Sequence, residues 1–261
     1  MINTYNETSL HKTLKSIYQL QNEGSKTEQR IAAKKKTVHA SVKEYIFDIV
    51  TADGNVIEIQ TGSLGHLLPK VLYLCAENRA VTVVYPLAVT KYIQTNNQAD
   101  GTIRKRKSPV SASIYSYRFF RELTSLCPVL LDKRFTLEVL EVTMTEERTA
   151  SDDLLQSANG RRRFRKNWNK TGKHLDSIDN KWIFHGRTSW IALLPKKYSS
   201  RKAGEFTVSD LYEAYIAQGI KVKRNDVQIM VWVYAHAEII ECVGKKGNAN
   251  VFQLSKTGHG K

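Results

Sequence analysis

Residues 42–61, VKEYIFDIVTADGNVIEIQT, decide the fold of this chain. Two runs rich in β-branched and aromatic residues flank the short polar segment ADGN at residues 52–55. Such runs on either side of an Asp-Gly pair are typical of an antiparallel β-hairpin, because glycine adopts the positive φ angles that a tight turn needs. The segment therefore predicts two paired strands joined by a turn at Asp53 and Gly54.

The same hairpin carries two acidic side chains among apolar neighbours. Asp48 lies near the end of the first strand, and Glu58 lies in the second. Counted across the turn, antiparallel pairing can bring these two carboxylates to neighbouring positions on one face. Two close carboxylates in apolar surroundings are unfavourable unless a cation neutralises them, and oxygen ligands of this kind suit Mg²⁺. The hairpin therefore predicts a magnesium site, and the alternative is an ordinary solvated strand pair.

The segments around the hairpin predict a mixed α/β fold. Residues 94–113 are polar and basic, which indicates a loop or a hairpin tip. The order of the remaining elements gives a mixed sheet flanked by helices over residues 1–150. Apolar spacing predicts helices at 6–22, 62–79 and 113–131, a strand buried on both faces at 80–89, and an alternating strand at 135–148.

A second, more basic part is expected after residue 150. Residues 150–174 are predicted to be a basic connector. Residues 204–219 and 223–239 predict two short helices, and residues 239–256 predict two strands around a Gly/Lys/Asn tip. Helix, turn, helix and hairpin is the order of a winged-helix domain, so residues 151–261 are predicted to form a connector and a winged-helix DNA-binding domain. The alternative is a small α/β packing domain with solvated lysines.

The charge of the chain favours a polyanionic partner. Forty Lys and Arg against 25 Asp and Glu give a net charge of +15 and a pI near 9.7, which favours nucleic acid. The alternative is that the excess charge serves only to keep the chain in solution. The residues expected to contact nucleic acid are Arg104, Lys105, Arg106 and Lys107; Arg161, Arg162, Arg163, Arg165 and Lys166; Lys223, Arg224 and Asn225 at the start of the recognition helix; and Lys245 and Lys246 on the wing.

Cysteine usage and the N-terminal segment indicate the compartment. Cys75, Cys127 and Cys242 lie far apart and lack the spacing of a zinc site. The first residues, MINTYNETSLHK, are polar and unlike a signal peptide, and no apolar run has membrane-spanning length. We therefore expect a cytoplasmic protein that has no membrane partner.

These motifs resemble the PD-(D/E)XK nuclease superfamily, whose core is a helix, a hairpin carrying Asp and Glu-x-Lys, a helix and a further strand. More narrowly, ETSLHKTLK, FDIV, EIQTGSLGHLLPKVLYL, VVYPLAV, RKRKSP and GKKGNANVFQL look like a family of largely uncharacterised microbial proteins. That family joins a nuclease-like core to a C-terminal winged helix, and the resemblance spans nearly the whole chain. It implies a restriction-endonuclease-like fold.

The resemblance also implies roles for individual residues. Asp48 and Glu58 match the metal ligands of the superfamily, and the carbonyl of Ile59 would complete the ligand set. The cofactor implied is Mg²⁺, for which Mn²⁺ can substitute. Glu7 matches an acidic residue that members of the superfamily often carry on the first helix.

One departure from the superfamily pattern leaves the function open. Gln60 occupies the position usually held by a Lys, and Lys70 on the following helix is either the replacement cation or an ordinary surface lysine. The leading interpretation is a metal-dependent endodeoxyribonuclease acting on duplex DNA in restriction, anti-phage defence or repair, with a homodimer as a reasonable assembly. The alternative is a non-catalytic DNA-binding regulator built on a degenerate nuclease core. RNA processing or RNA binding is a third, weaker interpretation, because charge does not separate the two polymers.

Overall fold

The computed structural model describes residues 8–32, 44–109, 116–157, 160, 163–200 and 204–256. A seven-stranded mixed sheet lies at its centre, with helices on both faces. The mixed α/β class expected from the sequence is confirmed. The strands of the sheet are β1 (Lys26–Ala32), β2 (Glu44–Val50), β3 (Val56–Ile59), β4 (Val81–Asn97), β5 (Ile103–Lys107), β6 (Phe135–Leu155) and β7 (Lys166–His185). The helices are α1 (Ser9–Gln21), α2 (Leu68–Ala76), α3 (Phe120–Leu123), α4 (Gly186–Ile191), α5 (Val208–Ala217) and α6 (Arg224–His236), and a separate hairpin consists of β8 (Ile240–Lys246) and β9 (Ala249–Leu254).

The predicted hairpin is confirmed as β2 and β3. Gly54 has φ of +84°, a conformation that a side chain with a Cβ adopts only with strain, so a glycine suits this turn. The antiparallel pairing consists of Ile49 with Ile57 and Val50 with Val56. On its other side β3 pairs in parallel with β4. The sheet therefore changes from antiparallel to parallel at β3.

The longest strands continue well beyond the central body of the sheet. The strands β4 and β6 pair in parallel from Val81–Phe135 to Asn97–Ala150, and β7 pairs antiparallel with β6 along most of that length. We call the outer part of these strands, residues 90–97, 103–107, 143–155 and 166–177, the arm. Every residue of β5 in the arm is exposed.

Two apolar cores pack on the two faces of the sheet. The smaller one places Leu10 and Leu14 of α1 against β3, β4 and β6. The larger one lies on the opposite face and includes α2, α3, α5 and α6. Thr8 caps α1 by accepting a hydrogen bond from the backbone N–H of His11 at 3.3 Å, which fixes where the helix begins.

The prediction of a single helix at 113–131 is wrong over residues 116–131, the part that the structure describes. Residues 116–131 form two short 3-10 turns, Ser116–Phe119 and Cys127–Val129, with the four-residue α3 following the first. Pro128 explains the break, because a proline lacks the N–H of a continuous helix and disfavours helical geometry at the residue before it.

The expected connector at 150–174 is also corrected. The strand β6 continues to Leu155 and β7 begins at Lys166, so the boundary drawn at residue 150 falls inside a strand. The basic segment 104–107, expected in a loop or hairpin tip, forms strand β5 after a turn at 98–102. Backbone pairing with long neighbouring strands can hold such polar segments extended without an apolar alternation.

The C-terminal part contains the two helices and the hairpin that the sequence predicts. A reciprocal capping box joins Thr207 and Asp210 at the start of α5. Phe206 and Phe252 form an isolated bridge that ties the hairpin to the segment before α5. Arg121 of α3 places its Nε 2.7 Å from Oδ1 of the buried Asp226 in α6. The C-terminal helices thus share the larger core with the sheet, and no described helix has the length and apolarity needed to cross a membrane.

Candidate active site where two strands separate

Asp48 and Glu58 lie where β2 and β3 separate. The last backbone pair before this point is Ile49 with Ile57. Beyond it the side chain of Asp48 accepts a hydrogen bond from the backbone N–H of Ile59 at 2.8 Å. The backbone N–H of Asp48 donates to Glu58 Oε1 at 3.2 Å. Each carboxylate therefore bonds to the backbone of the opposite strand, and we call Asp48, Glu58 and Ile59 the fork.

Lys70 of α2 approaches the fork beside Glu58. Its Nζ lies 2.9 Å from Glu58 Oε2 and donates to the carbonyl of Ile46 at 2.6 Å. The ammonium group also lies 5.5 Å from the centre of the Phe47 ring. Glu58 is 3% exposed, whereas the side chain of Lys70 is 26% exposed. A partly accessible cation is thus held next to a buried carboxylate.

The helix α1 contributes polar groups that the sequence analysis did not assign to the site. His11 Nε2 lies 3.4 Å from Asp48 Oδ2, and Lys15 forms an ion pair with Glu28 of β1. His11 and Lys15 are four residues apart and therefore share a helix face with the buried Leu14. That spacing was the available signal, but it does not say which strand the face would meet.

Burial and charge move the pKa values of the two carboxyl groups in opposite directions. Burial, and then the charge of Asp48, raises the pKa of Glu58 to about 7 against the opposing effect of Lys70. Burial also acts to raise the pKa of Asp48, but the hydrogen bond and charge of His11, helped by the Ile59 N–H and Lys15, outweigh it and lower that pKa. The fork therefore combines one carboxylate that stays ionised with one that takes up a proton near neutral pH.

The donor set of the fork fits a hard divalent cation. Two carboxylates of like charge repel each other in a buried setting, as the raised pKa of Glu58 indicates, and a cation would relieve this repulsion. Mg²⁺ needs only one or two carboxylates with waters and substrate oxygens. Among the residues that the structure describes, no group of three or more His, Cys, Asp or Glu side chains could hold a metal ion. The two carboxylates of the fork therefore suit Mg²⁺ better than a metal that needs a complete protein ligand shell.

Gln60, which the sequence analysis also predicted to be catalytic, does not join the fork's hydrogen bonds. The side-chain amide of Gln60 donates to the carbonyl of Ser63 at 2.9 Å, which ties the end of β3 to the turn before α2. The position occupied by Lys in the superfamily pattern therefore serves a local turn here. Glu7 lies outside the described residues.

The basic residues of the predicted nucleic-acid surfaces occupy two exposed regions. One is the arm with the segment before β7, where Lys105 lies 5.1 Å from the Tyr92 ring centre and Lys166 lies 5.5 Å from that of Trp168. Arg161 and Arg162 lie outside the described residues. The other region is C-terminal, where Lys223 is the N-cap of α6. The exposed basic and polar residues of both regions are Arg104, Lys105, Arg106, Lys107, Arg163, Arg165, Lys166, Lys223, Arg224, Asn225, Lys245 and Lys246.

Comparisons with known proteins connect the sheet to a family without an assigned function. Residues 8–185 match the model of a family described as "Domain of unknown function (DUF8091)". The match ends at the last residue of β7. An uncharacterised protein of Treponema pallidum (strain Nichols) is 31% identical over 141 residues, which is 54% of this chain and 50% of that protein. The chain thus aligns with about half the length of that relative, and no solved structure matches.

Proposed function

The chain belongs to the DUF8091 family, and we propose that it is a metal-dependent endonuclease that hydrolyses phosphodiester bonds in DNA. The observation that carries this proposal is the convergence of Asp48, Glu58 and Lys70 where β2 and β3 separate. These residues come from two strands and a helix, and the group combines two oxygen ligands with a cation. Phosphodiester hydrolysis needs these two kinds of group around the phosphorus atom.

The residues of the fork and Lys70 have different roles in the proposed reaction. A bound Mg²⁺ would supply an activated water and charge stabilisation on the phosphate oxygens. Asp48 and Glu58 would hold that ion, and the hydrogen bond from the Ile59 N–H keeps the Asp48 carboxylate in place. Lys70, fixed by Glu58 and the Ile46 carbonyl, provides the positive charge that Gln60 does not. The side chain of Lys70 is 26% exposed, so a substrate phosphate can approach it from the solvent.

DNA docking is assigned to the C-terminal helices and hairpin, which we propose form a winged helix. The N-terminus of α6 presents Lys223, Arg224 and Asn225, all exposed. The hairpin tip presents Lys245 and Lys246, also exposed. A recognition helix inserts its N-terminal residues into the major groove, and lysines on a neighbouring hairpin contact phosphates. The order and charge of these elements support this assignment.

Cleavage of supercoiled plasmid by the full chain tests the proposal. We expect nicked and linear products with Mg²⁺ or Mn²⁺ and none with EDTA, and we expect Glu58→Gln to give none under either condition. Methylated plasmid, unmethylated plasmid and RNA are tested in parallel, so that a requirement for modification or for RNA is detected. Cleavage that persists in Glu58→Gln would assign the activity to other residues or to a contaminant.

Gln60 favours a second candidate, a DNA-binding regulator without catalysis. The side chain at the position of the usual Lys is bonded to Ser63 and not to the carboxylates. In this candidate Lys70 neutralises Glu58 in place of a metal, which makes the fork a structural ion pair. Purified chain that binds DNA tightly and cleaves none of the substrates above would establish this candidate in place of the nuclease.

A further inference from the structure

A buried carboxylate in the arm holds three cations from three adjacent strands. Glu146 of β6 is 4% exposed. Its Oε2 lies 2.6 Å from Lys91 Nζ of β4 and 2.9 Å from Lys170 Nζ of β7. Its Oε1 accepts hydrogen bonds from Arg148 Nε at 2.8 Å and Arg148 Nη2 at 2.7 Å. We call Lys91, Glu146, Arg148, Lys170 and the neighbouring Lys173 the Glu146 cluster.

Positive charge exceeds negative charge in this cluster. Burial raises the pKa of Glu146, but Lys91, Lys170 and Arg148 outweigh it and bring the pKa down to about 2. Lys173 of β7 is the strand partner of Glu146 of β6. The pKa of Lys173 is lowered, first by burial and then by the charges of Lys170 and Lys91. Four cations therefore surround one carboxylate. A group of cations that repel one another is a site where an added anion is favourable.

Nearby acids have partners of their own. Glu147 lies 3.0 Å from His174 Nε2, and Asp176 accepts a hydrogen bond from the Thr145 hydroxyl at 2.6 Å. These two carboxylates reduce the positive electrostatic potential around the cluster, but these contacts join them to His174 and Thr145 and not to the cations of the cluster. A net positive charge thus remains on this part of the arm.

The cluster is also held in a fixed geometry. The guanidinium of Arg148 lies 3.7 Å from the ring centre of Trp168, while its Nε and Nη2 bond to Glu146. An Arg held between a carboxylate and an aromatic ring loses little further rotamer entropy when it binds a phosphate. Glu146 therefore orients the cations.

We propose that the Glu146 cluster is a binding site for the phosphodiester backbone of duplex DNA. This inference rests on the proposed function, because that function identifies the polyanion as DNA. None of the residues chosen from the sequence as DNA contacts belongs to the cluster. It lies where β4, β6 and β7 bring together residues that are far apart in the chain.

The position of the cluster relative to the fork supports this choice of ligand. Val142 and Met144 alternate along β6 on the face that packs against α1, and Glu146 is the next residue on that face. His11 of α1 contacts Asp48 of the fork. Lys91 lies seven residues along β4 from Val84, the partner of Ile59, which is about 23 Å of strand. That length matches about seven base pairs of duplex, so one DNA molecule can reach both sites.

The test measures how binding of a fluorescent 20-base-pair duplex depends on salt. Fluorescence anisotropy is recorded in EDTA, so that no cleavage occurs, for the full chain and for Lys170→Gln and Lys173→Gln. We expect each substitution to weaken binding and to reduce the slope of log K against log [salt] by about one unit. Lys133→Gln, at an exposed position just before β6, is the matched control and should leave the slope unchanged.

The outcomes distinguish this inference from the proposed function. Slopes that stay at the wild-type value in both variants overturn the Glu146 cluster as a DNA site, while plasmid cleavage by the wild-type chain still stands on its own. A wild-type chain that binds no DNA overturns both. Photo-crosslinking to bromodeoxyuridine-substituted duplex provides a measurement that does not need a variant. We expect a crosslinked peptide containing Trp168, and crosslinks confined to other peptides count against the site.

Discussion

The Nζ of Lys70 lies 2.9 Å from Oε2 of Glu58, which is 3% exposed. A cation from α2 is thereby held beside a carboxylate of β3 that the sequence places 12 residues earlier. The pair has two possible functions with different consequences. Either Lys70 stabilises charge on a phosphate and Glu58 binds a metal, or each neutralises the other and the contact is structural.

Substitution of either fork carboxylate tests whether the fork carries the chemistry. We expect Glu58→Gln and Asp48→Asn each to reduce plasmid cleavage by more than about 100-fold, because loss of a metal ligand is at least as severe as loss of a supporting contact. DNA affinity in anisotropy should stay near the wild-type value, since docking uses distant basic groups. Glu44→Gln, at an exposed position on β2, the strand of Asp48, is the control. Loss of affinity equal to the loss of cleavage would point to misfolding or to a direct role in docking.

Substitution of Lys70 separates its two possible functions. We expect Lys70→Ala to lower the cleavage rate at saturating DNA by about 100-fold to 1000-fold, the cost of removing a group that stabilises transition-state charge. Lys70→Arg should retain part of the rate, and Lys133→Ala should retain all of it. An unchanged rate in Lys70→Ala would leave the role to Gln60 or to solvent and would make the ion pair structural.

The raised pKa of Glu58 predicts that stability depends on pH and on Mg²⁺. The folded-state pKa of about 7 exceeds the ordinary value of 4.5, so between these values the folded chain keeps a proton that the unfolded chain has lost. The free energy of unfolding therefore falls as pH rises through this window. Thermal melts in EDTA from pH 5 to pH 8 should show the melting temperature of the wild type falling relative to that of Glu58→Gln.

The fork also predicts that added Mg²⁺ changes the melting temperature. A cation bound by ionised Glu58 and Asp48 stabilises the folded state, so Mg²⁺ should raise the wild-type melting temperature at pH 8. It should have no such effect on Glu58→Gln. Parallel pH curves for the two proteins would show that Glu58 does not titrate in this window. Equal responses to Mg²⁺ would show that the ion binds elsewhere.

Substitution of Lys245 and Lys246 in the β8–β9 hairpin tests whether the C-terminal part docks on DNA. Because the C-terminal helices share the larger core with the sheet, deleting them would expose that core, and point substitutions are the better probe. We expect Lys245→Gln and Lys246→Gln each to lower the salt slope of DNA binding by about one unit, as expected when a phosphate contact is lost. Lys133→Gln again serves as the control. Unchanged affinity and slope in the double variant would remove the hairpin from the docking surface.

Local patterns predicted the fork, and long-range packing determined its surroundings. The alternation and the Asp-Gly turn in residues 42–61 are properties of a short segment, so the pairing of β2 with β3 could be predicted from sequence. Lys70 was predicted as a candidate because α2 follows β3 directly. The contact of His11 with Asp48 depends on how α1 is rotated against the sheet, which a helical spacing does not specify.

The arm was the least predictable part of the fold. Apart from residues 143–148, which belong to the alternating strand predicted at 135–148, its segments are mostly polar or basic and lack the apolar alternation that identifies a strand. Their extended conformation follows from strand pairing with residues far away in the chain, such as that of Lys91 with Met144, 53 residues later. The boundary at residue 150 failed for the same reason, because a change in composition there coincides with a strand that continues unbroken.

The strand β7 is the last strand of the sheet and 20 residues long, and a strand of this kind is prone to pair with another chain. Four irregularities interrupt its register with β6, and lysines recur along it at 166, 170, 173 and 181. Bulges and lysines on an outer strand discourage strand addition, because they distort the edge and bring like charges together. The lysines that we propose attract a polyanion would therefore also disfavour the addition of another strand along β7.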